Sequence, residues 1–283
     1  MGFVFVKDSV RDYGVFSFLS LRFFVGAMVL LPWAIRDMDR KAVFYGVGIG
    51  TVLFLAFYFQ TAGLKTTTVS RSGLITSLFI VFSIVLNRLL FRVRISRWTW
   101  AILPVSLGGL ALLIFGDTAE LESGWGWNFG DLLTLLCAVG FGLHIVLLDR
   151  YSTEIASLPL ACIQLLTVSL WGAAGALMTE TLVIPGGSVW FGIFVCGIFC
   201  SAVCYLLQTS AQKYLPAVQV SFIFSSEPVF SVLFGVLLHH DSLTMLQAAG
   251  GVIMILSTLL ILALPAKKDS IKVAADLRAA GRR

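Results

Sequence analysis

Nine apolar runs, each close to the length of a bilayer-crossing helix, leave this chain little choice of environment. They occupy 16–35, 43–64, 72–91, 98–115, 131–148, 158–178, 189–211, 217–238 and 243–264, parted by short stretches of charged or turn residues. About 20 apolar residues in a helix match the hydrocarbon core of a membrane. Inside lipid every backbone amide has to bond within its own segment or close a barrel, so runs of this length read as helices. The chain is 58% hydrophobic and only 12% charged, with a mean hydropathy of +0.95. Soluble domains carry about 25% charged residues. The expected fold class is therefore an all-α polytopic membrane protein, placed in the plasma (inner) membrane.

Charge distribution sets the orientation. Arg36, Arg40 and Lys41 share one loop, Arg88, Arg92, Arg94 and Arg97 lie in the loop two helices later, and the tail adds Lys267, Lys268, Lys272, Arg278, Arg282 and Arg283. All fall on one side, which the positive-inside rule makes cytoplasmic, and the C-terminus with it. Asp117, Glu120 and Glu122 fall opposite, while Lys65 and Arg71 run against the bias. The net charge of +5 thus reports topology, and nucleic acid is not an expected partner.

Sliding the chain along itself reveals a repeat. A shift of 148 (213 minus 65) lays Gln60, Thr61 and Lys65 on Gln208, Thr209 and Lys213, and Ile75, Ser77, Val81, Phe82 and Ser83 on Ile223, Ser225, Val229, Phe230 and Ser231, without a gap. A shared polar triad at fixed spacing marks two related halves, 1–116 and 130–264, followed by a basic cytoplasmic tail at 265–283. Halves of five helices each invert the second against the first, a recurring transporter design. A shift of 142 (164 minus 22) sets Met1 on Leu143, inside the first helix of the second half. By that register the first helix of a ten-helix architecture is mostly missing here, and a start upstream of Met1 is expected.

Polar groups inside the runs are few. Glu227 stands near the middle of its run, where a carboxylate costs about 2.5 to 3.5 kcal/mol and therefore faces protein or water. Pro228 follows it, and by removing an amide donor and crowding the carbonyl of Phe224 it is expected to kink the helix. An acid at a kink suits solute contact or the binding and release of a proton; packing glue between helices is the plainer role. Ser225 lies beside it and Ser77 in the repeat-related helix. Gln60 and Gln208, with Tyr58 and Tyr205 on the same helices, either line a cavity or pack between helices. Arg22 lies a turn or two inside its helix end, where it either snorkels to the interface or attracts an anionic group. His144 is the titratable ring of its span, with a structural role as the alternative. Gly46 and Gly50 are spaced for close helix approach.

Cofactors are not implied. No zinc-protease helix, nucleophile elbow or phosphate loop occurs. Cys196, Cys200 and Cys204 share a helix face that three thiolates need for a soft metal, but cysteine in lipid serves equally as a small apolar residue, and no metal is expected. An enzyme is not expected; that alternative would rest on these thiols and His144 alone.

Three stretches carry a family resemblance. The run from Phe59 to Leu78, Ser226-Glu-Pro-Val-Phe-Ser with Leu243-Thr-Met-Leu-Gln after it, and Gly130 to His144 resemble the EamA-type permeases of the drug/metabolite transporter superfamily. The resemblance implies ten helices as an inverted repeat around a central cavity, both termini cytoplasmic, and usually export of amino acids or related small metabolites. The chain departs from the family in lacking the tryptophan-glycine pair of the first helix, in having Ile80 where the first half often has a proline, and in having Val93 where an acid often ends that helix. The expected function is a secondary transporter working by alternating access on a small-molecule solute, within the lipid bilayer, with protons as a coupling ion and a homo-oligomer as an option. The alternatives are a scaffold without transport activity and an exchanger of sugar-linked or phosphorylated metabolites.

Overall fold

The computed structural model describes residues 14–116, 128–181, 185–239 and 243–265. The register of Met1 and the basic tail from residue 266 onward lie outside them. Among the described residues the chain is helical throughout and makes nine spans. In order they are α1 (Val15–Ala34), α2 (Arg40–Gly63), the pair α3 (Val69–Ser77) and α4 (Phe79–Phe91), α5 (Arg97–Phe115), α6 (Phe129–Tyr151) and α7 (Ser157–Thr179). There follow α8 (Gly187–Val195), running through a π-turn (Cys196–Val203) into α9 (Cys204–Ala211), then the pair α10 (Ala217–Ser225) and α11 (Glu227–His239), and α12 (Met245–Ala263).

The starts of α2, α3 and α6 lie two or three residues outside the apolar runs, where a capping side chain takes up an orphan amide. Asp39 accepts from the amide of Ala42 and Thr68 from that of Arg71. Asn128 with Asp131, and Thr244 with Gln247, form reciprocal capping boxes that begin α6 and α12. Large apolar side chains such as Phe44, Leu170, Met178 and Phe191 point outward. In water they would be an association hazard; in a bilayer they meet lipid.

The packing follows the repeat. α1 lies on α7 and α5 on α12, each helix against its own counterpart in the other half. α2 on α7 mirrors the π-turn on α1, and α4 meets α10 at the centre. Repeat-related spans lie five crossings apart, an odd number, so they run in opposite directions through the membrane. At the α5–α12 crossing a Cβ on Gly109 would meet the Gly250 carbonyl at 3.0 Å and Ile253 at 2.8 Å. Gly109→Val is therefore expected to cost about 1 to 3 kcal/mol from overpacking. The loss would be seen as a fall in the monodisperse fraction on size exclusion in detergent.

The third and eighth spans are both broken, and at matching residues. Leu78 donates its amide to Ile75 and its carbonyl accepts from Val81 and Phe82; Ser226 donates to Ile223 and accepts from Val229 and Phe230. These six bonds superimpose under the same shift of 148 (226 minus 78). The first-half break forms with Ile80 in place of a proline, so a break at this position does not require one. Pro228 sits in the first turn of α11, where a missing amide costs nothing.

Candidate functional site

The break at Ser226 leaves the Phe222 carbonyl without its usual amide partner. Hydroxyls replace it: Ser225 donates to that oxygen at 2.8 Å, Ser226 at 3.2 Å and Thr258 at 3.2 Å. Ser83 and Ser221 join the halves by a 2.7 Å hydrogen bond. Ser77, the repeat mate of Ser225, likewise bonds back to its own helix, at Gly73. Both serines are engaged by backbone just before the breaks.

Glu227 is the first residue of α11, directly past the break, and its side chain is exposed rather than packed away. Arg22 on α1, and Cys200, Cys204 and Tyr205 on the seventh span, lie within electrostatic range of its carboxylate.

Arg22, on α1, is a cation within that range of Glu227. It is 7% exposed, and its guanidinium lies over the rings of Phe23 and Phe57 at 5.1 and 5.2 Å from their centroids. Nε donates to the hydroxyl of Ser201 at 3.0 Å, and the side chain makes no other hydrogen bond or ion pair with the described residues. The buried polar atoms without a partner among the described residues are the hydroxyls of Ser72, Thr76 and Ser152. The terminal nitrogens of Arg22 are not among them. No ion pair within 4.0 Å joins Arg22 to Glu227. A buried cation and an exposed acid thus lie within electrostatic range of one another without pairing.

Tyr205 packs beside the same two rings. Its ring lies 6.4 Å from that of Phe23 and 6.2 Å from that of Phe57, and the imidazole of His144 stands edge-on to it at 5.8 Å. His144 is 1% exposed and bonds through Nε2 to Gln164 Oε1 at 2.8 Å. Gln164 spends its amide nitrogen on the Leu160 carbonyl, so its oxygen accepts and His144 Nε2 carries the proton. The histidine is held within the packing. Gln208 donates to Gln212 at 3.2 Å, and Gln212 donates to the Ile145 carbonyl at 2.9 Å, which fixes α9 to α6 below the tyrosine.

Tyr58 stacks on Phe16 at 4.9 Å beside Phe54, at the edge of the same hydrophobic core that holds Phe23, Phe57 and Tyr205, and among the described residues no hydrogen bond joins Gln60 to Arg22, Tyr205 or Glu227. Gly46 and Gly50 face α7, where a Cβ on Gly50 would meet the Gln164 carbonyl at 2.9 Å. An apolar groove of about 630 Å³ along Val43, Phe44, Val47, Leu147 and Tyr151 opens on the outer surface and holds none of these polar groups.

Comparison with known proteins decides the family. The EamA-like transporter family matches residues 1–115 and again 128–263. The chain belongs to that family. With it comes membership of the drug/metabolite transporter superfamily. An uncharacterized transporter of Archaeoglobus fulgidus is 29% identical over 259 residues, 92% of this chain and 80% of that protein. The uncharacterized transporter YdfC of Bacillus subtilis is 22% identical, over 88% of this chain and 82% of its own. A crystal structure superposes with a TM-score of 0.76 at 18% identity, covering 94% of this chain and 95% of that one, and supports the fold alone. This EamA-family chain is accordingly an integral membrane transporter of a small-molecule solute.

Two features of the EamA-family chain escape sequence reasoning. Ser201 gives no signal, because an isolated serine in an apolar run has no partner until α1 is packed against it. Asp131 does give one: Asn128 three residues before it is a capping-box pattern, and Arg71 is a cation on the wrong side of the membrane. In the fold Asp131 is fully buried and ion-paired to Arg71, and it accepts from Thr67 at 2.6 Å and from the Asn128 amide at 3.1 Å.

Proposed function

We propose that the protein is a secondary transporter that exports amino acids or related small metabolites by alternating access, with proton coupling at Glu227. It works in the plasma membrane with its C-terminus in the cytoplasm. One observation supports the reading: Arg22 and Glu227 lie within electrostatic range of each other without pairing. A solute bearing both a carboxylate and an ammonium satisfies both groups at once. A multiply anionic solute fits less well, since Arg22 is balanced there by an acid. Alternation needs parts that bend, and the matched breaks at Leu78 and Ser226 supply them at equivalent depths in the two halves.

The test is flux of a labelled amino-acid and metabolite panel in proteoliposomes. Arg22→Ala removes charge-assisted hydrogen bonds worth about 1.5 to 3 kcal/mol. It is expected to raise KM for carboxylate-bearing solutes by about 10- to 100-fold. Equal KM values in wild type and variant would remove Arg22 from the solute site.

A further inference from the structure

The second half contains a piece of backbone that the first half lacks. Residues 196–203 form a π-turn, whereas their repeat mates, 48–55 (196 minus 148 onward), lie within the regular helix α2. A π-turn widens the helix by one residue per turn and is costly enough to be kept mostly at functional sites. Its inner hydroxyl is Ser201, fully buried, whose repeat mate is Leu53. The repeat mate of Arg22 is Gln164, so neither partner of the Arg22–Ser201 bond is demanded by the shared fold.

We infer that Ser201 is a positioning residue for Arg22, and that the π-turn places its hydroxyl to fix which edge of the guanidinium meets the solute. This rests on the reading of Arg22 as an anion contact. Ser201 uses its hydroxyl in both directions. It accepts from Arg22 Nε at 3.0 Å and donates to the Cys196 carbonyl at 3.0 Å, five residues back, the spacing of the π-turn itself. Two glycines bring the backbones together for this. A Cβ on Gly26 would meet the Gly197 carbonyl at 2.8 Å and Ser201 Cβ at 3.3 Å, and a Cβ on Gly197 would meet the Arg22 carbonyl at 2.8 Å. At that separation Nε reaches Ser201 while the guanidinium carbon stands 5.2 Å from the centre of the Phe57 ring. One edge is thereby occupied. The two terminal nitrogens are left as a fork, the arrangement that binds a carboxylate through two parallel bonds. Without the hydroxyl, Nε is a buried donor with no acceptor, and the guanidinium rotates to satisfy it at the expense of the fork.

The experiment uses the whole chain in proteoliposomes, with L-leucine and its carboxylate-free counterpart L-leucinol as probes. Ser201→Ala is expected to raise KM for L-leucine about 10-fold with Vmax within about two-fold, leaving L-leucinol unchanged. Ser201→Thr, which keeps the hydroxyl, is expected to restore the wild-type KM. The double variant Arg22→Ala/Ser201→Ala is expected to be no worse than Arg22→Ala alone. A structural role for Ser201 would instead lower Vmax for both probes, or add to the Arg22 effect, and either result overturns the proposal. Cys200, exposed and adjacent to Ser201, gives a readout that needs no transport. Its maleimide labelling rate, mapped by mass spectrometry, is expected to shift several-fold in each single variant and no further in the double. Rates equal to wild type, or shifts that add, overturn the Arg22–Ser201 tie. If wild type carries neither probe, or Arg22→Ala leaves L-leucine uptake unchanged, the solute reading fails, and the labelling comparison alone decides whether Ser201 positions Arg22.

Discussion

Glu227→Gln is expected to reduce proton-gradient-driven flux in proteoliposomes to the level of empty vesicles. Glutamine matches the shape of the acid and keeps a hydrogen-bonding carbonyl, so the break at Ser226 and the three hydroxyls on the Phe222 carbonyl are left intact. What disappears is the titratable carboxylate within electrostatic range of Arg22. Two assays separate these roles. If Glu227 only couples protons, solute exchange between equal concentrations on both sides continues in the variant while gradient-driven accumulation stops. If it also holds the solute's ammonium, both are lost. Flux that survives unchanged in both assays would reduce Glu227 to a structural acid at the mouth of α11.

Asp131→Ala is expected to cause the largest loss of stability. The carboxylate is fully buried and joins three segments: Arg71 at the start of the third span, Thr67 in the turn before it, and the capping amide of Asn128. The Asn128 side chain adds a bond to the Thr66 carbonyl at 3.1 Å. Removing one member of a buried pair leaves the other uncompensated and costs about 3 to 5 kcal/mol. The lower end applies here, because the side chain of Arg71 is 23% exposed and water reaches it. The measurement is the thermal midpoint of the detergent-solubilised protein, expected to fall by roughly 5 to 10 °C. Asp131→Leu combined with Arg71→Leu should recover most of the loss, since no charge is then stranded. A double variant no better than Asp131→Ala would mean that the Thr67 and Asn128 bonds, not the ion pair, hold the junction.

That junction explains an oddity of the charge pattern. Arg71 lies on the face where basic residues are scarce, and its tolerance there follows from an acid 60 residues away. Periodicity and loop charge do not predict such a partner, because the pairing depends on how the turn before α3 meets the start of α6. The opposite case is the first-half break. Sequence reasoning tied a kink to Pro228, and Leu78 breaks its helix as Ser226 does although Ile80 stands where the repeat has the proline. Proline is a local signal, and it marks one of the two matching breaks. Of the candidate site, Arg22, Tyr205 and Glu227 lie within electrostatic range of one another, with His144 edge-on to the tyrosine, while Tyr58 stacks on Phe16 at the edge of the core that holds Tyr205.

The sequence by itself determined the environment, the helical class and the presence of two related halves. Each of these is written along one dimension: the length of an apolar run, the sign of a loop, the recurrence of a polar triad. The tertiary structure decided the rest. The bond from Arg22 to Ser201 spans 179 residues, the one from Ser17 to Glu180 spans 163, and the contact of Ser83 with Ser221 spans 138. The π-turn that presents Ser201 has no counterpart in the first half, although the two helices are related by the repeat. Hydrophobic length fixes where a helix crosses the membrane, but the direction a buried guanidinium faces is set only when two backbones meet at Gly26 and Gly197.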